Sequence, residues 1–205
     1  MRVFPLVTAS ALVLAAMPGP AGPAAAAAAA APGIVVKDVN GSGCKKETTT
    51  AALSVDRTAV TVTYSDYVVS AAGSTKTASR NCRIRLKIDP VPGYAPTVTS
   101  VDYRGFADLA AGSVVQLAAT YRFHGVDRVE SAGMRLAGPF SDDWQATDKA
   151  EAGLVTGKCT GSHELDVEST LSVTSAPAGA PTDFIAMDST DAVVPNTFHL
   201  AWKAC

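Results

Sequence analysis

From about residue 50 onward the chain alternates apolar and polar residues at almost every step. Successive side chains of a strand point to opposite faces, so such a run buries one face and wets the other. Val60, Val62 and Tyr64 alternate with Thr61, Thr63 and Ser65, and Cys82, Ile84, Leu86 and Ile88 with Arg83, Arg85 and Lys87. Val115, Leu117, Ala119, Tyr121 and Phe123 form a third run, and Leu165, Val167, Ser169, Leu171 and Val173 a fourth. Phe198, Leu200 and Trp202 close the chain in the same way, and Leu53–Val55, Val98–Tyr103 and Phe184–Met187 are shorter candidates.

Turn residues punctuate these runs. Ala72-Gly73-Ser74, the Pro90–Pro96 segment, Ala111-Gly112, Gly125, Gly138-Pro139 and Gly179-Ala180-Pro181 each break one. No stretch sustains a helical period, and Thr, Val and Ser are too frequent for helices. About eight strands with one apolar face each imply an all-β fold: a single antiparallel β-sandwich of jelly-roll or Ig-like kind, spanning residues 32–205.

The first thirty-odd residues read differently. Arg2 precedes an almost uninterrupted apolar run from Val3 to Met17. A Pro18-Gly19-Pro20 break and eight alanines from Ala24 to Ala31 follow. Small side chains there offer cleavage sites between Ala26 and Ala31, so residues 1–31 are expected to be a signal peptide and the protein secreted. The Pro-Gly break interrupts the roughly 20 apolar residues a spanning helix needs, so no stable membrane insertion is expected. The four cysteines, Cys44, Cys82, Cys159 and Cys205, all lie beyond the leader, an even set that reads as two disulfides in an exported chain. An early pair and a late pair favour Cys44–Cys82 and Cys159–Cys205. No CxxC or HxxxH spacing points to zinc, and neither a metal site nor a cofactor is assigned.

Charge narrows the partners. The chain carries 17 Lys+Arg against 19 Asp+Glu, a net −2, which gives no footprint for a phosphate backbone, and nucleic acid is excluded as a partner. Without Arg2 the remainder holds 16 against 19, a net −3. The basic stripe Arg83, Arg85, Lys87 and the acidic stripe Glu164, Asp166, Glu168 are read first as cross-strand partners in an opposite-charge ladder. The other reading makes the basic stripe a site for an acidic ligand. His124, His163 and His199 fall at or beside outward positions and are read as scattered surface histidines. No G-x-S-x-G elbow occurs, and no catalytic residue is assigned. A carboxylate pair for glycoside cleavage cannot be read from spacing.

Two places invite a ligand. Asp142-Asp143-Trp144 reads as a loop opened by Gly138-Pro139, with Trp144 either a stacking platform or an anchor. Tyr103-Arg104-Gly105 sets a phenol and a planar cation at a strand end, a suitable contact for carbohydrate or carboxylate. Its structural reading has Tyr103 in the core, Arg104 paired with Asp102 or Asp108, and Gly105 at a turn or bulge. Tyr103, Arg104 and Trp144 are thus the candidate ligand-binding residues.

The central segment also carries a family pattern. Asn81-Cys82, a basic strand, Pro92-Gly93, Val101-Asp102-Tyr103-Arg104-Gly105-Phe106 and Leu109–Gly112 are its parts. Tyr121-Arg122-Phe123 before Gly125, and Gly138-Pro139-Phe140, continue it, with Gly41-Ser42-Gly43-Cys44 upstream and Cys159 downstream. Over residues 35–205 the chain resembles the domain-of-unknown-function 4360 family, secreted proteins of fungi and bacteria. The resemblance implies export and a cysteine-stapled β domain, and carries no catalytic residue with it. The stretch around Cys159, Gly157-Lys158-Cys159-Thr160-Gly161, and the tail Ala176–Asn196 depart from the pattern.

The expectation is a non-catalytic extracellular binding or surface-interaction module, with a glycan, a cell-wall polymer or another secreted protein as partner. A secreted hydrolase drawing acids from separate strands is the second reading. A secreted protease inhibitor using Gly157–Ser162 is the third.

Overall fold

The computed structural model describes residues 33–72, 76–126, 130–150, 153–176, 182–187 and 196–205, with the side chains of 130–132 excepted. All belong to the compact unit Ala31–Cys205. The expected signal peptide and its cleavage region lie outside them, as does most of the 176–196 tail.

Thirteen strands, β1 (Ile34–Asn40), β2 (Thr49–Leu53), β3 (Ala59–Tyr64), β4 (Tyr67–Ala71), β5 (Thr77–Ile88), β6 (Tyr94–Leu109), β7 (Val114–Phe123), β8 (Glu130–Ala137), β9 (Phe140–Lys149), β10 (Val155–Thr156), β11 (His163–Thr174), β12 (Asp183–Met187) and β13 (Asn196–Ala204), and one 3₁₀ turn at Lys46–Thr48 make up the described regular structure. The alternating runs all lie in strands, Leu53 being the last residue of β2, with Ser54 and Val55 turning after it. Strands β1, β4, β8, β9 and β10 come from segments whose alternation is short or broken.

All pairings are antiparallel. A five-stranded sheet runs β1-β5-β11-β7-β8. An eight-stranded sheet runs β2-β3-β13-β6-β12-β4, with β9 and β10 also on β6. Residues 100–102 of β6 pair with both β13 and β9, and residues 105–108 with both β12 and β9. A strand has only two edges, so β13 and β12 share one edge of β6 end to end, and β9 holds the other. Arg104 sits opposite the gap between β13 and β12.

The two sheets share one core. Ile84, Leu86, Leu117, Leu165 and Leu171 of the smaller sheet pack with Val60, Val62, Val101, Ile185 and Phe198 of the larger. Tyrosines tie the sheets together. The Tyr67 hydroxyl donates to the Ser169 carbonyl at 3.0 Å, and Tyr121 meets Phe198 edge-on with ring centroids 6.2 Å apart. Burial of these side chains, at roughly 1.5–3 kcal/mol each, is the main force joining the layers.

Both disulfides take the early-with-early and late-with-late pairing. Cys44 bonds Cys82 at a Cα separation of 5.4 Å, and Cys159 bonds Cys205 at 5.7 Å. The first is buried in the core and the second lies at the surface. The protein is an antiparallel, disulfide-stapled β-sandwich.

Candidate functional site

The segment containing Tyr103 and Arg104 is not a strand end. It lies in the middle of β6, where Val101, Tyr103, Gly105, Ala107 and Leu109 face inward and Asp102, Arg104, Phe106 and Asp108 outward. Tyr103 is only 2% exposed. Its hydroxyl bonds the Tyr121 hydroxyl, which donates in turn to Asp148 Oδ2 at 2.5 Å. Burial pushes both phenols up, Tyr103 well above its ordinary value. The chain of hydroxyls links the sheets and is closed to solvent.

Trp144 does not sit in a loop either. Residues Asp142, Asp143 and Trp144 are part of β9, and Trp144 pairs directly with Gly105. Its indole is 6% exposed and faces the core. A Cβ on Gly105 would run into that ring and into the Ala186 carbonyl, so this mid-strand glycine is where the indole and the neighbouring backbone fit. Gly105 therefore marks neither a turn nor a bulge but the seat of an inward tryptophan. Among the described residues, Trp144 Nε1 has no hydrogen-bond partner.

Of the three candidate residues, Arg104 alone reaches the surface, and the surface around it is distinctive. Across β12 and β6, Phe184 and Phe106 stack on the outer face, centroids 5.8 Å apart at an interplanar angle of 30°. Ala186 pairs with Phe106 on one side and with Val68, 39% exposed, on the other, which extends the apolar strip to β4. Polar groups border the strip. Gln145 pairs with Arg104 and Asp143 with Phe106 across β9. At the next row, His199 Nε2 lies 2.8 Å from Asp102 Oδ2, and the Thr147 hydroxyl donates to Asp102 Oδ1 at 2.6 Å. Burial pushes the Asp102 carboxyl up, but the Thr147 and His199 hydrogen bonds and the Arg104 charge outweigh it and hold the group below its usual range. The Arg104 backbone N–H donates to Asn196 Oδ1 at 3.1 Å, closing the gap between β13 and β12.

Phe106 and Phe184 are the residues that reading by segment missed. The signal was present in the phase of the alternation. With Tyr103 and Ala107 inward, Phe106 must point outward, and with Ile185 and Met187 inward so must Phe184. An aromatic residue on the polar phase of two strands is a surface feature.

The opposite outer face carries the charge ladder. Arg83 pairs in register with Glu168, Arg85 with Asp166 and Lys87 with Glu164. Arg85 clasps Asp166 with Nε at 2.6 Å and a terminal nitrogen at 3.3 Å, and Arg83 reaches Glu168 at 3.0 Å. Lys37 of β1 reaches Glu164 at 2.6 Å. Burial pushes Asp166 up, yet the Arg85 and Arg122 guanidiniums outweigh it and hold the carboxyl below its usual range.

The three histidines lie in different surroundings. His163 is inward and buried, contrary to its expected surface position, and burial lowers its pKa. His199 is on the outer face of the larger sheet, and His124 is exposed beside Glu164. Among the described residues no group of three metal-ligating side chains converges. Among them, too, no helix is long and apolar enough to cross a membrane.

The domain of unknown function DUF4360 matches residues 31–205, and the chain belongs to that family. An uncharacterized secreted protein of Arthroderma benhamiae is 27% identical over 175 residues, covering 84% of this chain and 71% of that protein. Its description agrees with the export read from the leader and the cysteines. Among solved structures, TmCBM61 in complex with β-1,4-galactotriose shows 11% identity and a TM-score of 0.31, covering 82% of this chain and 87% of that one. A likeness of that size transfers no residue and no ligand.

Proposed function

We propose that this secreted β-sandwich is a non-catalytic extracellular module that binds glycan on the outer face of its larger sheet. The observation that carries the reading is the stacked Phe106–Phe184 pair, half-buried on the outer face of the sheet and bordered by hydrogen-bonding side chains. A sugar ring has apolar C–H faces and a rim of hydroxyls. The phenyl strip takes the faces, while Arg104, Gln145 and Asp143 are placed to take hydroxyls at the rim. Asp102 is held ionised and acts as an acceptor. The side chains project from hydrogen-bonded strands of one sheet, so binding requires no loop to be ordered.

The His199–Asp102 pair supports binding over hydrolysis. The hydroxyl beside it, Thr147 Oγ1, donates to the carboxylate and not to the imidazole, so it is not lined up as a nucleophile activated by a base. Arg104 keeps the ligand role read from the sequence. Tyr103 and Trp144 enter as supports, Tyr103 beneath the face and Trp144 under Gly105.

Retention of the secreted protein on insoluble neutral polysaccharides, with and without added salt, tests the reading. Salt-resistant retention that is lost in Phe184→Ala is the expected result. Retention that vanishes with salt, or that survives in Phe184→Ala, would overturn it.

A further inference from the structure

The other outer face holds an open groove of about 340 Å³ that the aromatic strip does not share. It is lined by Arg83 and Arg85 of β5, Thr120 and Arg122 of β7, and Asp166 and Glu168 of β11. Two rows cross its floor, Arg83–Glu168–Thr120 and Arg85–Asp166–Arg122, each residue in register with the next. Three cations face two acids, so the lining is net +1.

The rows are not equally satisfied. Arg85 takes both oxygens of Asp166. Among the described residues, Arg122 reaches only Oδ2 of that carboxylate, at 3.4 Å, an oxygen already shared with Arg85, and half of its side chain is open to solvent. Arg83 and Glu168 meet through a single bond between two half-exposed side chains. A guanidinium offers five N–H donors in a planar fork that matches a carboxylate. Among the described residues one long contact holds the Arg122 guanidinium, which lines the groove. Glu168 offers acceptor oxygens beside it, and Thr120 a hydroxyl.

We infer that this groove is a second ligand site, for an acidic saccharide whose carboxylate is taken by Arg122 and Arg83 and whose hydroxyls are taken by Glu168 and Thr120. The mixed lining selects the ligand class. A neutral sugar leaves the arginine forks unused. A phosphate-rich polymer brings more negative charge against Asp166 and Glu168 than a net +1 lining offsets. A sugar with one carboxylate and neighbouring hydroxyls satisfies both signs at once. The inference is independent of the aromatic face, because it uses the other sheet and requires charge on the ligand.

Calorimetric titration of the secreted protein with polygalacturonate, its fully methyl-esterified form and dextran sulfate, at physiological salt, provides the test. Polygalacturonate is expected to bind and the ester not to, with Arg122→Gln weakening the affinity about tenfold or more, the scale of one charged hydrogen bond. Phe184→Ala is expected to leave this binding unchanged. Equal binding of acid and ester, unchanged binding by Arg122→Gln, stronger binding of dextran sulfate, or no binding of polygalacturonate would each overturn the site. Binding lost in Phe184→Ala but kept in Arg122→Gln would place the ligand on the aromatic face and refute the groove alone. Should Arg122→Gln fail a thermal-melting check of folding, Arg83→Gln serves the same comparison.

Discussion

Removing the surface disulfide should cost stability almost entirely through the unfolded chain. Cys159 and Cys205 are 46 residues apart in sequence and both are exposed. Cross-linking a loop of that size removes unfolded-chain entropy worth about 4.0 kcal/mol at 25 °C on the loop-closure model. The core bridge closes 38 residues, worth about 3.9 kcal/mol on the same model. Entropy alone makes the two equal. Burial separates them, because Cys44 and Cys82 lie in the core, and truncating both to alanine empties space worth about 1–2 kcal/mol more.

Cys159→Ala/Cys205→Ala should therefore lose about 4 kcal/mol in urea unfolding, or roughly 8–16 °C in melting temperature for a domain of this size. Cys44→Ala/Cys82→Ala should lose more. The folded state of the first variant should be unchanged, since Thr197–Ala204 stay paired along β6 and Cys205 N–H still donates to the Gly93 carbonyl at 2.9 Å. Mild reductant should open the exposed bridge first. A surface variant that loses less than about 1 kcal/mol, or more than the core variant, would contradict a stabilisation set by loop closure.

Three further perturbations follow from the interior and from the ion pairs. Gly105→Ala should cost about 1–3 kcal/mol by overpacking against the Trp144 ring and the Ala186 carbonyl, with a changed near-ultraviolet dichroism from the displaced indole. Tyr103→Phe should cost about 0.5–1.5 kcal/mol, because Tyr121 keeps Asp148, whereas Tyr121→Phe takes a partner from Tyr103 and Asp148 together and should cost about 1–3 kcal/mol. Urea midpoints measured against pH should hold above about pH 4 and fall below it. Asp102, Asp166 and Asp183 have folded pKa values below their ordinary ones, so their stabilisation is complete above the unfolded value and is lost as pH drops through the folded value. Asp148, raised by burial, acts in the opposite sense and slightly softens the fall.

Much of this architecture is readable from the residues, and the parts that are not have physical causes. Strands β5, β7 and β11 form the middle of their sheet, so one face of each must be apolar and the alternation is clean. The ladder follows from the same fact: a basic stripe beside an acidic one on two adjacent strands is neutralised when they pair. Strand β9 lies along one edge of β6, and its inward phase mixes Phe140, Asp142, Trp144, Ala146 and Asp148, which reads as a loop. A bulge between Val36 and Asp38 breaks the period of β1. The partnership of Gly105 with Trp144 depends on register between strands far apart in sequence, which no local pattern reports. The outward phase of β6 puts Arg104 at the surface, and the same test of phase, applied to Phe106 and Phe184, exposes the aromatic strip.

The aromatic face is most directly tested by mapping amide chemical shifts in the secreted protein as a soluble oligosaccharide from a retained polysaccharide is added. Shifts are expected to cluster at Arg104, Phe106, Phe184, Ala186 and Gln145, on the outer face of β6, β12 and β9. Shifts confined to β5, β7 and β11 on the other sheet, or no shifts at a concentration that saturates retention, would contradict it.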